Sequence, residues 1–217
     1  MICFVAGTFA KVPVTGNKIR LTDNWEFLRQ DVGNIWELVR PIKKGQPEEQ
    51  PIWTKVTLPH CFNAEDAVDP DLNYYQGPGG DKTRLKLDNP YPDGRMVLEF
   101  EGAGQKTDVY VYMTKVGSHV GGYDSWNVDI TDAVRAFLAS KDAERFGGEI
   151  PLSIRCDNTR DAEMIPSDLS DFNLYGGIYR YLNLVYLPEV SVASLRIEPV
   201  LDAKMKKGTL KVSGTFY

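Results

Sequence analysis

Histidine is scarce, cysteine is sparse and scattered, and long apolar runs and clusters of positive charge are missing. Each shortage closes off a class of chemistry. With only His60 and His119, any Ser-His-Asp or Cys-His device would have to use one of these two. His60 lies beside Cys61, but adjacent residues on a strand point to opposite faces, so a structural role on the sandwich is expected for it. The three cysteines, Cys3, Cys61 and Cys156, are far apart and odd in number. They have no ligand-like spacing, which indicates neither a zinc site nor a disulfide framework, and Cys156 is expected in the core. No stretch approaches the roughly 18 consecutive apolar residues of a membrane-spanning helix, so no membrane partner is expected. The formal charge is −5, and Lys43-Lys44 and Lys204, Lys206 and Lys207 are too short to form a basic arm. Nucleic acid is therefore not expected as a partner either. Gly117-Ser-His-Val-Gly-Gly122 lacks both the Lys-Ser/Thr pair and the helix of a phosphate loop, and a hairpin loop is expected there.

What is present suits a folded β protein. The 217 residues are 42% hydrophobic and 25% charged, enough apolar material for a core in one large β domain or two small ones. Met96, Leu98 and Phe100 share one face of a strand, Thr107 to Met113 alternate likewise, and Ile150, Leu152, Ile154 and Cys156 form a third series of period two. Tyr179 to Leu187 reads as a longer strand ending at Pro188. Turn chemistry lies between these runs at Asn89-Pro90, Pro92-Asp-Gly94, Gly102-Ala-Gly104 and Gly121-Gly122. The pattern predicts an all-β, mainly antiparallel sandwich over residues 20–188.

A single short helix is expected, with Thr131 capping Asp132 to Leu138 and Val134, Phe137 and Leu138 on its buried stripe. Trp25, Trp53 and Trp126 are expected in the core rather than as stacking platforms. Residues 189–217 supply two further strands, which cannot close a domain alone. They are expected to open a second β domain whose remainder is absent. Residues 1–19 form a lead whose first ten residues are apolar and small but lack a basic start. Both readings of it stay open: the remnant of an export signal, which would place the protein in the periplasm or outside the cell, or an ordinary segment of a cytoplasmic protein.

Five segments together resemble one family. "LTDNWEF" (21–27), "VTLPHCFN" (56–63), "YYQGPG" (74–79), "FEGAGQKTDVYVYMTKVGSHVGGYDSWNVDIT" (100–131) and "DFNLYGGIYR" (171–180) are similar, in order and spacing, to the N-terminal sugar-binding domain of family 2 glycoside hydrolases. The resemblance is nearest to the β-galactosidase-like members. It implies a jelly-roll-like sandwich, then an immunoglobulin-like domain opening at 189–217, then a catalytic barrel whose two glutamates carry out retaining hydrolysis. It places no catalytic residue in these 217 residues, implies no cofactor, gives no indication of a cation, and makes carbohydrate and the remaining domains of the same polypeptide the expected partners. The chain departs from the family's aromatic run at Gly77-Pro-Gly79-Gly80-Asp81-Lys82, where two large aromatics are missing from a place that is normally packed.

"DNTRDAEMIPSDLSDFNLYGGIYR" (157–180) combines carboxylates, amides, arginines and aromatics with almost no apolar periodicity. Planar acceptors and donors read vicinal sugar hydroxyls, and aromatic faces cover sugar C–H surfaces. The resemblance implies that this loop reaches over the mouth of the barrel. It makes Asp161 the leading sugar contact, with Asn158 and Arg160 beside it and Asp171 and Asn173 behind. The same residue types also serve turns, the expectation for Asp168 and Ser170. Gly176-Gly177 are expected to form a backbone turn, and Arg180 to be a structural ion-pair partner. An independent carbohydrate-binding module and a purely structural interaction domain remain alternatives.

Overall fold

The computed structural model describes residues 17–31, 35, 53–66, 68–69, 71, 74–167 and 173–217. The lead at residues 1–10, Asp168, Ser170 and Asp171 lie outside the described residues. Alternating apolar side chains build two facing sheets. The smaller contains β1 (Asn17–Arg20), β5 (Arg95–Phe100), β8 (Trp126–Asp129) and β10 (Leu182–Leu187), in the order β1-β10-β5-β8. The larger contains β2 (Trp25–Leu28), β3 (Thr54–Val56), β4 (Pro78–Leu85), β6 (Lys106–Val111), β7 (Thr114–Val120) and β9 (Ile150–Asp157), in the order β3-β2-β4-β9-β6-β7. Neighbouring strands run antiparallel throughout. The inward faces meet in one core that includes Leu98, Phe100, Ile154, Cys156, Leu184 and Tyr186, all at most 2% exposed. Each large apolar side chain so buried contributes about 1.5–3 kcal/mol relative to exposure.

A third sheet is a single hairpin of β11 (Val192–Leu201) and β12 (Gly208–Phe216), which pair only with each other among the described residues. Its apolar side chains, Leu195, Ile197, Val212 and Phe216 among them, are exposed.

The helix α1 spans Thr131–Leu138 and buries Thr131, Val134 and Phe137. Leu138, expected on the buried stripe, is exposed. Thr131 does not cap. It is the first helical residue, and its hydroxyl accepts the Met96 N–H at 2.9 Å, while Asp129 Oδ1 accepts the Thr131 N–H at 2.9 Å. Gly117 and its neighbours form strand β7 rather than a loop; the tight turn is Tyr112-Met113. Arg180 makes no ion pair among the described residues, its backbone N–H donating instead to the Gly102 carbonyl. Trp25 is buried, whereas Trp126 lies partly exposed between Phe100 and His119.

The Gly-rich start of β4 is packed rather than loosened. A side chain at Gly79 would stand 2.8 Å from the Phe27 ring and 3.0 Å from Phe62, and those rings stack at 5.4 Å. Aromatic volume reaches this place from neighbouring segments instead of from β4 itself.

Candidate functional site

The polar loop leaves the sandwich at the end of β9 and returns at Leu174, and both ends are fastened by buried amides. Asn158 is fully buried. Its Oδ1 accepts the Gly77 N–H at 2.8 Å, and its Nδ2 donates to the carbonyls of Tyr75 at 3.0 Å and Leu174 at 2.8 Å. Asn63, equally buried, mirrors it: Nδ2 donates to Leu174 O at 2.8 Å and Tyr75 O at 3.3 Å, and Oδ1 accepts the Gly176 N–H at 2.9 Å. The Tyr74 hydroxyl is a further donor to the Leu174 carbonyl, and burial pushes that phenol up to about 12. Buried backbone groups need partners, and the two asparagines supply them across four separate segments.

Chain crossings this tight require glycine. Any side chain at Gly176 would collide with the Phe62 ring, and Gly177, at φ +103°, would put a Cβ 2.6 Å from the His60 carbonyl. Here the His60 N–H donates to Ile178 O at 2.8 Å and the Phe62 N–H to Gly176 O at 3.0 Å. Segment 58–62 is thereby stitched to 176–178.

Asp161 stands apart from this clamp. Its Oδ2 pairs with Lys106 Nζ at 2.5 Å and its Oδ1 accepts the Glu163 N–H at 2.9 Å. Lys106 and that N–H hold the carboxyl below the usual aspartate range, and the same pairing raises Lys106. Asp161 therefore stays an acceptor-only anion with part of its surface open to solvent. Arg160 is half-buried, close enough to favour the ionised form of the Tyr74 phenol. Asn173 is exposed beside the clamp. The structure thus splits the sequence-predicted set: Asn158 spends its amide on backbone, Asp161, Arg160 and Asn173 keep accessible polar surface, and Asp171 lies outside the described residues. Reading the sequence alone missed Asn63, Tyr74 and Lys106. Asn63 lies within the "HCFN" segment, but nothing local marks it as the partner of residues more than 100 positions away.

A cavity lies elsewhere in the sandwich. It measures about 1190 Å³ and its lining includes Glu26, Lys55, His60, Lys82, Arg84 and Ser153. Among the described residues no group of three or more His, Cys, Asp or Glu side chains could hold a metal ion, and no helix is long and apolar enough to cross a membrane.

No family model matches the chain. The solved structure of Parabacteroides merdae β-glucuronidase superposes on it with a TM-score of 0.84 at 72% identity, covering 93% of this chain and 26% of that one. The β-glucuronidase of Bacteroides fragilis is 30% identical over 141 residues, which are 65% of this chain and 19% of that protein. The chain is homologous to β-glucuronidases and β-galactosidases. The β-galactosidase of Thermoanaerobacter pseudethanolicus matches at 24% identity over 171 residues, 78% of this chain and 21% of that protein. The relatives are glycoside hydrolases, and the sandwich is the part of them that this chain represents. It spans about a fifth of the length of the curated relatives and 26% of the solved one.

Proposed function

We propose that the chain is the non-catalytic sugar-binding domain of a family 2 glycoside hydrolase that cleaves terminal β-glycosides, with a β-glucuronide as the substrate of the whole enzyme. One observation carries the choice of sugar: the 72% identity to a β-glucuronidase over 93% of the chain, against 24% to a β-galactosidase. In this reading the loop from 157 to 173 lines the entrance of an active site whose acid/base and nucleophile lie on another domain. Retaining hydrolysis needs two carboxyl groups about 5 Å apart on opposite sides of one bond, and the loop's role is to orient sugar rather than to cleave it.

The residues divide the work. Asn158 and Asn63 hold the loop ends at fixed positions, as a site on a loop requires. Asp161, kept ionised by Lys106, accepts sugar hydroxyl protons, and the charge-assisted bonds so formed are the stronger kind. Arg160, Asn173 and Asp171 supply further polar contacts. Hairpin β11–β12, with apolar side chains exposed on both strands, opens a second β domain at 189–217.

The test compares the 217-residue chain with the full-length protein on nitrophenyl β-glucuronide, β-galactoside and β-mannoside. Turnover by the full-length protein alone, strongest on the glucuronide, is expected. Turnover by the short chain that disappears on mutating one of its carboxylates would refute the non-catalytic assignment, and a preference for galactoside would refute the choice of sugar.

A further inference from the structure

Across the larger sheet, Phe27, Asp81, Ile154 and Val109 stand opposite one another in a single row facing the core. The carboxyl of Asp81 is fully buried there, and neither oxygen has a hydrogen-bond partner. Its polar neighbour is His60, whose Nδ1 lies 3.5 Å from Asp81 Oδ1 and has no other partner. From β2 the carboxyl faces Phe27, and from β6 Val109. From β9 it faces Ile154, with the thiol of Cys156 close enough to sense its charge. The nearby cations do not help, since Lys82 pairs across the sheet with Glu26 and Ser153, and Arg155 with Gly80 and Asp108, in rows of the opposite face. Among the described residues His60 is the one basic side chain within ion-pair distance of Asp81. It also lines the 1190 Å³ cavity, which opens a route for protons between Asp81 and water.

We infer that the buried Asp81 carboxyl, 3.5 Å from His60 Nδ1, is a pH-responsive latch that locks segment 58–62 onto 176–178 and loosens when the carboxyl ionises. The backbone of His60 carries one of the two hydrogen bonds of that junction and Phe62 carries the other, so displacement of the imidazole acts directly on the return end of the polar loop. Protonated, the Asp81 carboxyl buries no charge beside the imidazole, 3.5 Å away. Ionised, it is a carboxylate in an apolar row, which is costly unless paired.

Burial raises Asp81 above the ordinary aspartate value, with His60 acting in the opposite direction. For a carboxyl whose folded value is raised, the stability contribution is complete below the unfolded value of about 3.9 and is lost as pH rises through the folded value. The latch therefore closes in acid and loosens toward alkaline pH.

The test is made on the 217-residue chain and its Asp81→Asn variant between about pH 4 and pH 9. The thermal midpoint of the wild type, relative to Asp81→Asn, should fall as pH rises above about 4. In parallel, the protection of the His60 and Phe62 amides, corrected for intrinsic exchange, should drop by up to about tenfold per pH unit until pH passes the folded value of Asp81, then level off, and stay flat in the variant. Parallel midpoint curves would overturn the inference, as would a falling midpoint that leaves those two amides protected. Should Asp81→Asn fail to fold, a carboxyl-carbon titration of the wild type decides: a midpoint above the ordinary aspartate range supports the latch, and one within or below it refutes it. None of these measurements depends on sugar binding, so failure of the proposed function leaves the latch intact.

Discussion

Two places near the same end of the sandwich bury polar side chains to the same degree and treat them in opposite ways. Asn63 and Asn158 have both ends of their amides partnered by backbone groups of other segments. Asp81 is just as buried, yet reaches a single imidazole at 3.5 Å and has no hydrogen bond. The asparagines are neutral at every pH and convert burial into rigidity, because together they tie the Tyr75 and Leu174 carbonyls and the Gly77 and Gly176 N–H groups of distant segments to one another. The aspartate converts burial into sensitivity, because its cost depends on whether it holds a proton. Burial alone does not say what a polar group does; the account of its partners does.

The strongest way to break this comparison is to empty the satisfied side of it. Asn158→Leu orphans the Gly77 N–H while preserving volume and takes one donor each from the Tyr75 and Leu174 carbonyls, which keep Asn63 and, for Leu174, Tyr74; an unmet buried group costs about 1–3 kcal/mol. A loss of about 1–3 kcal/mol is expected, lowering the thermal midpoint by roughly 2–12 °C. Asn63→Leu should behave alike. A midpoint within 2 °C of wild type, by calorimetry, would mean that water replaces the amide and that the clamp is dispensable; that threshold is about the shift produced by 0.5–1 kcal/mol in a chain of this size.

The unsatisfied side should respond with the other sign. At pH 8, Asp81→Asn should raise the midpoint above wild type, and at pH 4 the advantage should shrink, since the carboxyl is then protonated in the folded chain and about half protonated in the unfolded one. Calorimetry at the two pH values reads this difference directly, and an equal offset at both would show that Asp81 does not titrate across that range.

A third, accessible position sharpens the contrast. Asp161 is partnered by Lys106 but lies open to solvent, so Asp161→Ala should leave the midpoint of the full-length enzyme nearly unchanged. Its kcat/KM should fall about 10- to 150-fold through loss of a charge-assisted contact to sugar. Unchanged kinetics with a lowered midpoint would reduce Asp161 to a turn residue. The smallest effect is expected outside the sandwich: Leu195→Ser on the exposed hairpin should shift the stability of this chain by no more than about 0.5 kcal/mol. A larger loss, measured by urea unfolding, would tie the hairpin to the core.

Much of the sandwich was legible because alternation is a local property. Met96, Leu98 and Phe100, and Ile150, Leu152, Ile154 and Cys156, declare their buried faces within a few residues, and all seven are buried. Helix α1 was legible in place but not in detail, since its inner face depends on where the sheets leave room, and Leu138 turned outward while Thr131 turned in. The hairpin β11–β12 was visible as two strands from the same alternation.

The site was legible as a polar loop and not as a mechanism. Sequence composition marked 157–180, yet it placed Asn158 among groups facing sugar, whereas its amide fastens backbone groups at Tyr75, Gly77 and Leu174. Sequence showed only that two large aromatics are absent from β4; that Phe27 and Phe62 fill the place over Gly79 was decided by the tertiary structure. By itself the sequence determined the strands, their buried faces, the turns between them and the family whose sandwich they build, because backbone preference and side-chain alternation are decided within a few residues. Only the tertiary structure decided which buried polar atoms are paired. Their partners lie far away in the chain, 81 residues between Gly77 and Asn158 and 111 between Asn63 and Leu174, and the free energy of a buried polar group depends on the atoms that reach it across that distance.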